Sequence, residues 1–111
     1  MAFHDEKLAE QLRELAAEYI SRESNRQSLI TVTSVRTFDA NKNATIYFTV
    51  FPEDQENTAL DFLKRKRTEF KEFVKEKALL GRVPFFDFQI DLGEKNRQRI
   101  EEIIQEDNKG E

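Results

Sequence analysis

The stretch that decides the fold is residues 29–51, which read LITVTSVRTFDANKNATIYFTVF. Residues 29–37 are dense in β-branched side chains, which favour a strand. Residues 44–51 alternate cleanly and place Ala44, Ile46, Phe48 and Val50 on one face. The polar run at 39–43 between the two is typical of a turn. The segment therefore predicts an antiparallel hairpin with one buried face.

One irregularity lies inside the first predicted strand. The apolar alternation slips between Val32 and Val35, which are three residues apart instead of two or four. A slip of this kind predicts either a β-bulge or a position at the sheet edge.

Helical patterns precede and follow the hairpin. Residues 5–22 carry apolar side chains at three- and four-residue spacing, and residues 58–80 carry a second stripe through Leu60, Leu63 and Phe70. That second stripe is interrupted at Lys66 and Arg67. Either the helix bends there, or the aliphatic stems of these residues lie along the core edge.

The C-terminal third predicts one more strand and one more helix. Residues 85–92 alternate, with Phe86, Phe88, Ile90 and Leu92 facing inward, and Gly93 is expected to end the strand. A helix over 94–105 is expected to pack its isoleucines against the core, and residues 106–111 are expected to be a frayed tail. These isoleucines are Ile100, Ile103 and Ile104.

The predicted order is α-β-β-α-β-α, an α+β fold with helices on one face of a three-stranded sheet. At 111 residues, the chain has room for a single domain, residues 1–111, with one core. The first residues lack the apolar run of a signal peptide, and no stretch approaches membrane-spanning length, so we expect a cytoplasmic protein with no membrane partner. We also expect the protein to be a monomer.

The sequence contains few of the side chains and motifs that catalysis requires. There is no cysteine, the only histidine is His4 near the terminus, and the three glycines form no phosphate loop. The carboxylates fall on solvated helix faces, which do not split the pKa values of an acid–base pair. We therefore expect no enzyme, no cofactor, no metal site and no small-molecule substrate.

Positive charge is concentrated in one segment. The net charge is −4, yet residues 64–82 hold eight basic and three acidic residues, a local charge of +5 that leaves −9 on the rest. A basic segment of this kind favours binding to the phosphate backbone of a nucleic acid. Salt screening limits the repulsion that acidic residues elsewhere in the chain would add. The candidate RNA-binding residues are Lys64, Arg65, Lys66, Arg67, Lys71, Lys75 and Arg82.

Two other interpretations of these patterns stay open. The basic run is also compatible with a solvated helix surface in which Asp61 pairs with Arg65, Lys66 with Glu69, and Glu72 with Lys75. A second function class is a protein–protein interaction module that uses the sheet's other face or an edge strand. Its contacts would be Thr45, Tyr47 and Thr49.

Three segments resemble the ribosome-binding factor A family in order and spacing. They are KLAEQLRELA at 7–16, the hairpin from Ile30 to Val50, and RVPFFDFQID at 82–91; the closing RIEEII at 99–104 also fits. The resemblance implies a KH-type fold, type II-like, that binds the small ribosomal subunit and its rRNA during late maturation. It also implies an Ala-x-Gly kink near residues 66–68, where this chain has neither Ala nor Gly. The helix is therefore expected to be straighter or to bend by another device.

Overall fold

The computed structural model describes residues 2–24, 27–78 and 81–109, and the side chains of 6–24, 27–78 and 81–104 within them. In these ranges the elements follow the order α-β-β-α-α-β-α. Their bounds are α1 Ala2–Glu23, β1 Leu29–Phe38, β2 Asn43–Phe51, α2 Glu56–Arg65, α3 Arg67–Ala78, β3 Phe85–Ile90 and α4 Leu92–Lys109, with a short 3-10 turn at Glu53–Gln55.

The three strands form one sheet in the order β1-β2-β3. Strand β2 pairs antiparallel with β1, as the hairpin pattern predicts, and parallel with β3. The parallel pairing follows from the connection: α2 and α3 carry the chain back along one face of the sheet before β3 begins. Strand β2 is therefore central, and β1 and β3 are the two edges.

The bulge predicted in β1 is confirmed. Val32 pairs with Phe48 and Ser34 with Tyr47, so Thr33 is the extra residue. Because this one residue is inserted, both Val32 and Val35 turn towards the helices despite their three-residue spacing. The side chain of Thr33 makes a contact outside this strand pair: its hydroxyl donates a hydrogen bond to Asp91 Oδ2 at 2.5 Å.

The core lies between the sheet and the helices on one of its faces, as predicted. Phe48, Phe70, Phe86 and Phe88 are fully buried, and the Phe70 ring lies edge-on to Phe86 with centroids 4.7 Å apart. Such edge-to-face contacts are a preferred aromatic arrangement. Helices α1, α2 and α3 contribute the other side of the core, opposite the sheet. Their fully buried residues are Leu12, Ala16, Leu63, Phe70 and Val74.

The long helix predicted over 58–80 is two helices that meet at Lys66. This residue has φ −92° and ψ 5°, outside the helical region, and its N–H contacts the carbonyls of both Phe62 and Leu63. The Lys66 carbonyl then accepts the Phe70 N–H at 2.8 Å, which starts α3. Of the two outcomes expected from the interrupted stripe, the bend is therefore the one present, and it needs neither Ala nor Gly.

The end of the chain differs from the sequence prediction in two ways. Strand β3 ends at Ile90, and Leu92, predicted inward, is 65% exposed because it already belongs to α4. Gly93 lies inside this helix instead of ending the strand. Asp91 causes the change: its Oδ1 accepts the Glu94 N–H at 3.0 Å, a side-chain N-cap that starts the helix early.

The isoleucines of α4 are not packed, which corrects the second prediction. Ile100, Ile103 and Ile104 are each more than half exposed. The helix is held near its start, where Lys95 bridges Glu53 at 2.8 Å and Glu56 at 3.0 Å, and its later turns leave the core. The predicted frayed tail lies partly in α4, which continues to Lys109, and partly outside the described residues.

Candidate nucleic-acid interface

The bend at Lys66 separates the four consecutive basic residues into two directions. Lys64, at the end of α2, and Arg67, at the start of α3, both turn towards the edge strand β3. There Lys64 Nζ lies 3.7 Å and Arg67 Nη1 lies 3.4 Å from the same oxygen, Asp87 Oδ1. Asp87 therefore neutralises part of this positive charge. Because one carboxylate faces two cations, the group still carries a net positive charge.

Arg65 and Arg67 also stabilise the end of α2. Arg67 Nε donates to the carbonyl of Lys64 at 3.2 Å, and Arg65 Nε donates to the carbonyl of Asp61 at 3.4 Å. Cations here also complement the negative end of the helix dipole. Lys64, Arg65 and Arg67 line one shallow, open depression together with Thr58 and Asp61. This arrangement suits a phosphate group better than an enclosed small molecule.

Lys66 points the other way, towards α1. Its ammonium lies 3.0 Å from Glu69 Oε2, an oxygen that also accepts the Tyr19 hydroxyl at 3.0 Å. The hydrogen bond from Lys66, followed by that from Tyr19, lowers the pKa of Glu69. Burial and the bond to Glu69 raise the pKa of Tyr19. Lys66 thus ties the helix bend to α1, and of the four basic residues it is the least available to a partner.

The remaining candidates extend the surface along α3 and into the next turn. Arg67, Lys71 and Lys75 follow one another at four-residue spacing and so form a row on one side of α3, about 12 Å long. Lys75 pairs loosely with Glu72 at 3.9 Å. Lys71 is half-buried and Arg82 is exposed; neither has an ion-pair partner in the described part of the chain.

The three helix-surface pairs predicted from spacing have mixed outcomes. Lys66–Glu69 and Glu72–Lys75 are confirmed. The Asp61–Arg65 prediction is wrong as an ion pair, because Arg65 bonds the main-chain oxygen of Asp61 instead.

Asp87 is the residue that sequence reasoning missed. Strand alternation places it on the outer face of the sheet, but nothing local indicates that it meets cations twenty or more residues away. Phe85 was missed for the same reason: its ring is 57% exposed, and the Arg67 guanidinium lies 5.6 Å from its centroid. Both contacts depend on the bend that brings Arg67 to the β3 edge.

The described residues include no group of three or more His, Cys, Asp and Glu side chains that could hold a metal ion. The His4 side chain lies outside the description. Of the helices described, none is long and apolar enough to cross a membrane. The proposed protein-contact residues on the sheet are partly covered, with Thr45 buried and Tyr47 and Thr49 half-buried.

Comparison with known proteins identifies the family. The model of the family described as ribosome-binding factor A matches residues 4–104, nearly the whole chain. The chain belongs to the ribosome-binding factor A family. A ribosome-binding factor A of Thermobifida fusca is 31% identical over 101 residues, which cover 88% of this chain and 67% of that protein.

Solved structures of the family share the fold. Ribosome-binding factor A from Thermus thermophilus superposes with a TM-score of 0.70 at 25% identity, over 78% of this chain and 93% of that one. A putative ribosome-binding factor A of Thermotoga maritima gives 0.66 at 20% identity, over 80% and 88%. The sequence prediction of a KH-like α+β fold is thereby confirmed.

A third similar structure comes from a complex. It is a homology model of the Thermus thermophilus factor fitted into a cryo-EM map of a 30S–RbfA complex, with a TM-score of 0.62 at 24% identity, over 72% of this chain and 87% of that one. At this level of identity the likeness concerns the fold.

Proposed function

We propose that this chain is a cytoplasmic ribosome-assembly factor that binds the small ribosomal subunit and its immature rRNA during late maturation. The observation that carries the proposal is the junction of α2 and α3, where Lys64, Arg65 and Arg67 face one open depression on an otherwise acidic chain. Family membership supports it, as does the 30S complex of the Thermus thermophilus relative. In this proposal, residues 1–111 act as one domain and as a monomer.

The proposed mechanism is occupancy, with no chemical step. Each phosphate that Lys64, Arg65 or Arg67 neutralises releases counterions, which contributes affinity that falls as salt rises. The arginines add bidentate geometry to this contact, and Lys71, Lys75 and Arg82 extend it along α3 and beyond. Lys66 contributes chiefly by holding the bend. The protein would hold unfinished RNA until it folds and would then leave.

The test is co-sedimentation with small ribosomal subunits on sucrose gradients at low and high salt. The variant Lys64→Gln, Arg65→Gln, Arg67→Gln is expected to bind more weakly. The slope of its log affinity against log salt should be shallower by about 2, because three phosphate contacts are lost.

A matched control removes three arginines elsewhere in the chain. Arg13, Arg22 and Arg97 each pair with a carboxylate on their own helix, so their replacement by Gln changes net charge equally. The control should co-sediment like the wild type. Unchanged co-sedimentation of the junction variant at both salt concentrations would count against the proposal, and equal loss in the two variants would show that only net charge matters.

A further inference from the structure

The face of the sheet opposite the helices carries two exposed aromatic rings in one row. The strand register places Phe38 of β1 opposite Asn43 of β2, and Asn43 opposite Phe85 of β3. Directly opposed residues point to the same face, so both rings stand on this open face with only the short Asn43 between them. Phe38 is 48% and Phe85 57% exposed.

This aromatic row is continuous with the basic junction. Strand β3 is an edge, and Arg67 reaches around it from the helix side. Its guanidinium lies 5.6 Å from the Phe85 ring centroid and 3.4 Å from Asp87, and both of these residues belong to the open face. Lys64 reaches the same carboxylate. Two cations are thus placed beside the exposed ring.

We propose that Phe85 and Phe38 stack unpaired bases of an RNA strand whose phosphates are held by Lys64 and Arg67. This inference rests on the function proposed above and extends its contact surface from the helices to the sheet. Every base has a flat π-face, so stacking on a phenyl ring tolerates any sequence. Proteins that recognise unpaired RNA commonly stack its bases on aromatic rings or on arginine guanidinium groups.

The spacing of the strands suits two separate bases. Neighbouring strands lie about 4.8 Å apart, so the backbones that carry Phe38 and Phe85 are about 9.6 Å apart across β2. Successive stacked bases are about 3.4 Å apart, which is much less than this separation. Each ring can therefore receive a base of its own.

The surroundings of the rings favour RNA over an apolar protein surface. The next row of the open face is Arg36, Thr45 and Asp87, and the row after it is Ser34, Tyr47 and Gln89. The rings are therefore separated from other apolar groups by polar and charged side chains. At the far end of the open face, Phe51 lies opposite Leu29 and shares a depression with Lys95 and Arg99. Two carboxylates, Glu53 and Glu56, balance these two cations. Phe51 therefore offers a control ring whose neighbouring cations are already neutralised.

The experiment uses the full chain and a short single-stranded oligoribonucleotide that carries 2-aminopurine, whose fluorescence reports stacking. Phe85→Leu and Phe38→Leu are each expected to weaken binding about tenfold, with the salt slope unchanged, and to reduce the fluorescence change. Phe51→Leu, which removes a ring that is 73% exposed, should behave like the wild type. Circular dichroism checks that each variant is folded.

The outcomes separate this inference from the proposed function. Salt-dependent binding that neither ring substitution weakens would overturn the stacking inference alone. Ring variants that lose binding to subunits but keep binding to the oligoribonucleotide would assign the open face to a ribosomal protein and also overturn it. No binding of the wild type to either RNA or subunits would overturn both proposals.

Discussion

At the scale of single residues, Asp87 controls the charge of the α2–α3 junction. Its Oδ1 lies within 4 Å of both Lys64 and Arg67, and the side chain is about one-third exposed. A carboxylate in this position lowers the positive potential that a phosphate meets. The same carboxylate also orients Lys64 and Arg67. Replacing it therefore tests whether its negative charge or its orienting contacts matter more for binding.

We predict that Asp87→Asn strengthens binding to single-stranded RNA about two- to fivefold at low salt, because the amide removes one negative charge and keeps an acceptor for Arg67. Stability should fall by at most about 1 kcal/mol, since both ion pairs are partly exposed to solvent. Fluorescence anisotropy titrations at two salt concentrations measure the effect. Asp54→Asn, which changes the same charge on the 3-10 turn, is the control; weaker binding by Asp87→Asn would mean that orientation of the cations dominates.

Two of the three local residue pairs expected from spacing are present, whereas pairs between distant residues could not be predicted from the sequence. Lys66–Glu69 and Glu72–Lys75 follow from three-residue spacing on a helix, which fixes the distance between side chains. Asp87 is more than twenty residues from Lys64, and their contact depends on how two helices return along a sheet. No local pattern contains that information.

At the scale of elements, the interrupted apolar stripe located the irregularity in the second helix but did not decide between a bend and basic side chains lying along the core edge. The stripe stops at Lys66 because the chain leaves the helical path there, and the basic residues occupy positions that do not enter the core. The bend is stabilised on both sides: Arg67 bonds the last turn of α2, and Lys66 with Glu69 and Tyr19 connects α3 to α1. These contacts replace the Ala-x-Gly device that the family resemblance implies.

Helix α4 shows the opposite case, in which a regular stripe does not mean burial. Its isoleucines have helical spacing, yet the core is already closed by α1, α2 and α3. The ion pairs of Lys95 with Glu53 and Glu56 fix the helix at one end, and Arg99 also bonds Glu53. Periodicity predicts which residues share a face, but not whether another element is present to cover that face.

We predict that Ile100→Ala, Ile103→Ala and Ile104→Ala together change the free energy of unfolding by less than about 1 kcal/mol, since exposed substitutions cost little and Ala favours a helix. Ile20→Ala on α1, where the side chain is 3% exposed, should cost about 2–5 kcal/mol. Urea unfolding measures both. A triple variant as unstable as Ile20→Ala would show that α4 packs its isoleucines after all.

At the scale of the whole molecule, most of what could be predicted about the fold came from the sequence of the hairpin. Its alternation gave the buried face, and the slip between Val32 and Val35 gave the bulge, because both signals arise within one pair of strands. The starts and ends of later elements were less predictable. The end of β3, for example, depends on an Asp91 cap that competes with continuation of the strand, and Leu92 is equally compatible with either outcome.

The surface carboxylates determine how the whole fold responds to acid. In four of them a hydrogen bond from a cation is the leading cause that lowers the pKa below its ordinary value of 4.5. A carboxylate with a lowered folded pKa stabilises the fold above its unfolded pKa, and this contribution is lost as pH falls through the folded pKa. The four residues, with their donors, are Glu10 with Arg13, Glu53 with Lys95, Glu69 with Lys66 and Glu94 with Arg97.

We therefore predict that the Tm stays nearly constant from pH 7 to about pH 5 and falls steadily below that. Glu53→Gln with Glu69→Gln should lower the Tm at pH 7 and make its fall in acid shallower, because two of the titrating hydrogen bonds are already absent. Glu76→Gln with Glu102→Gln, exposed carboxylates outside these bonds, should leave the wild-type slope unchanged. Differential scanning calorimetry across this range measures all three proteins. Equal slopes for the two double variants would mean that acid acts through general charge repulsion instead of through the paired carboxylates.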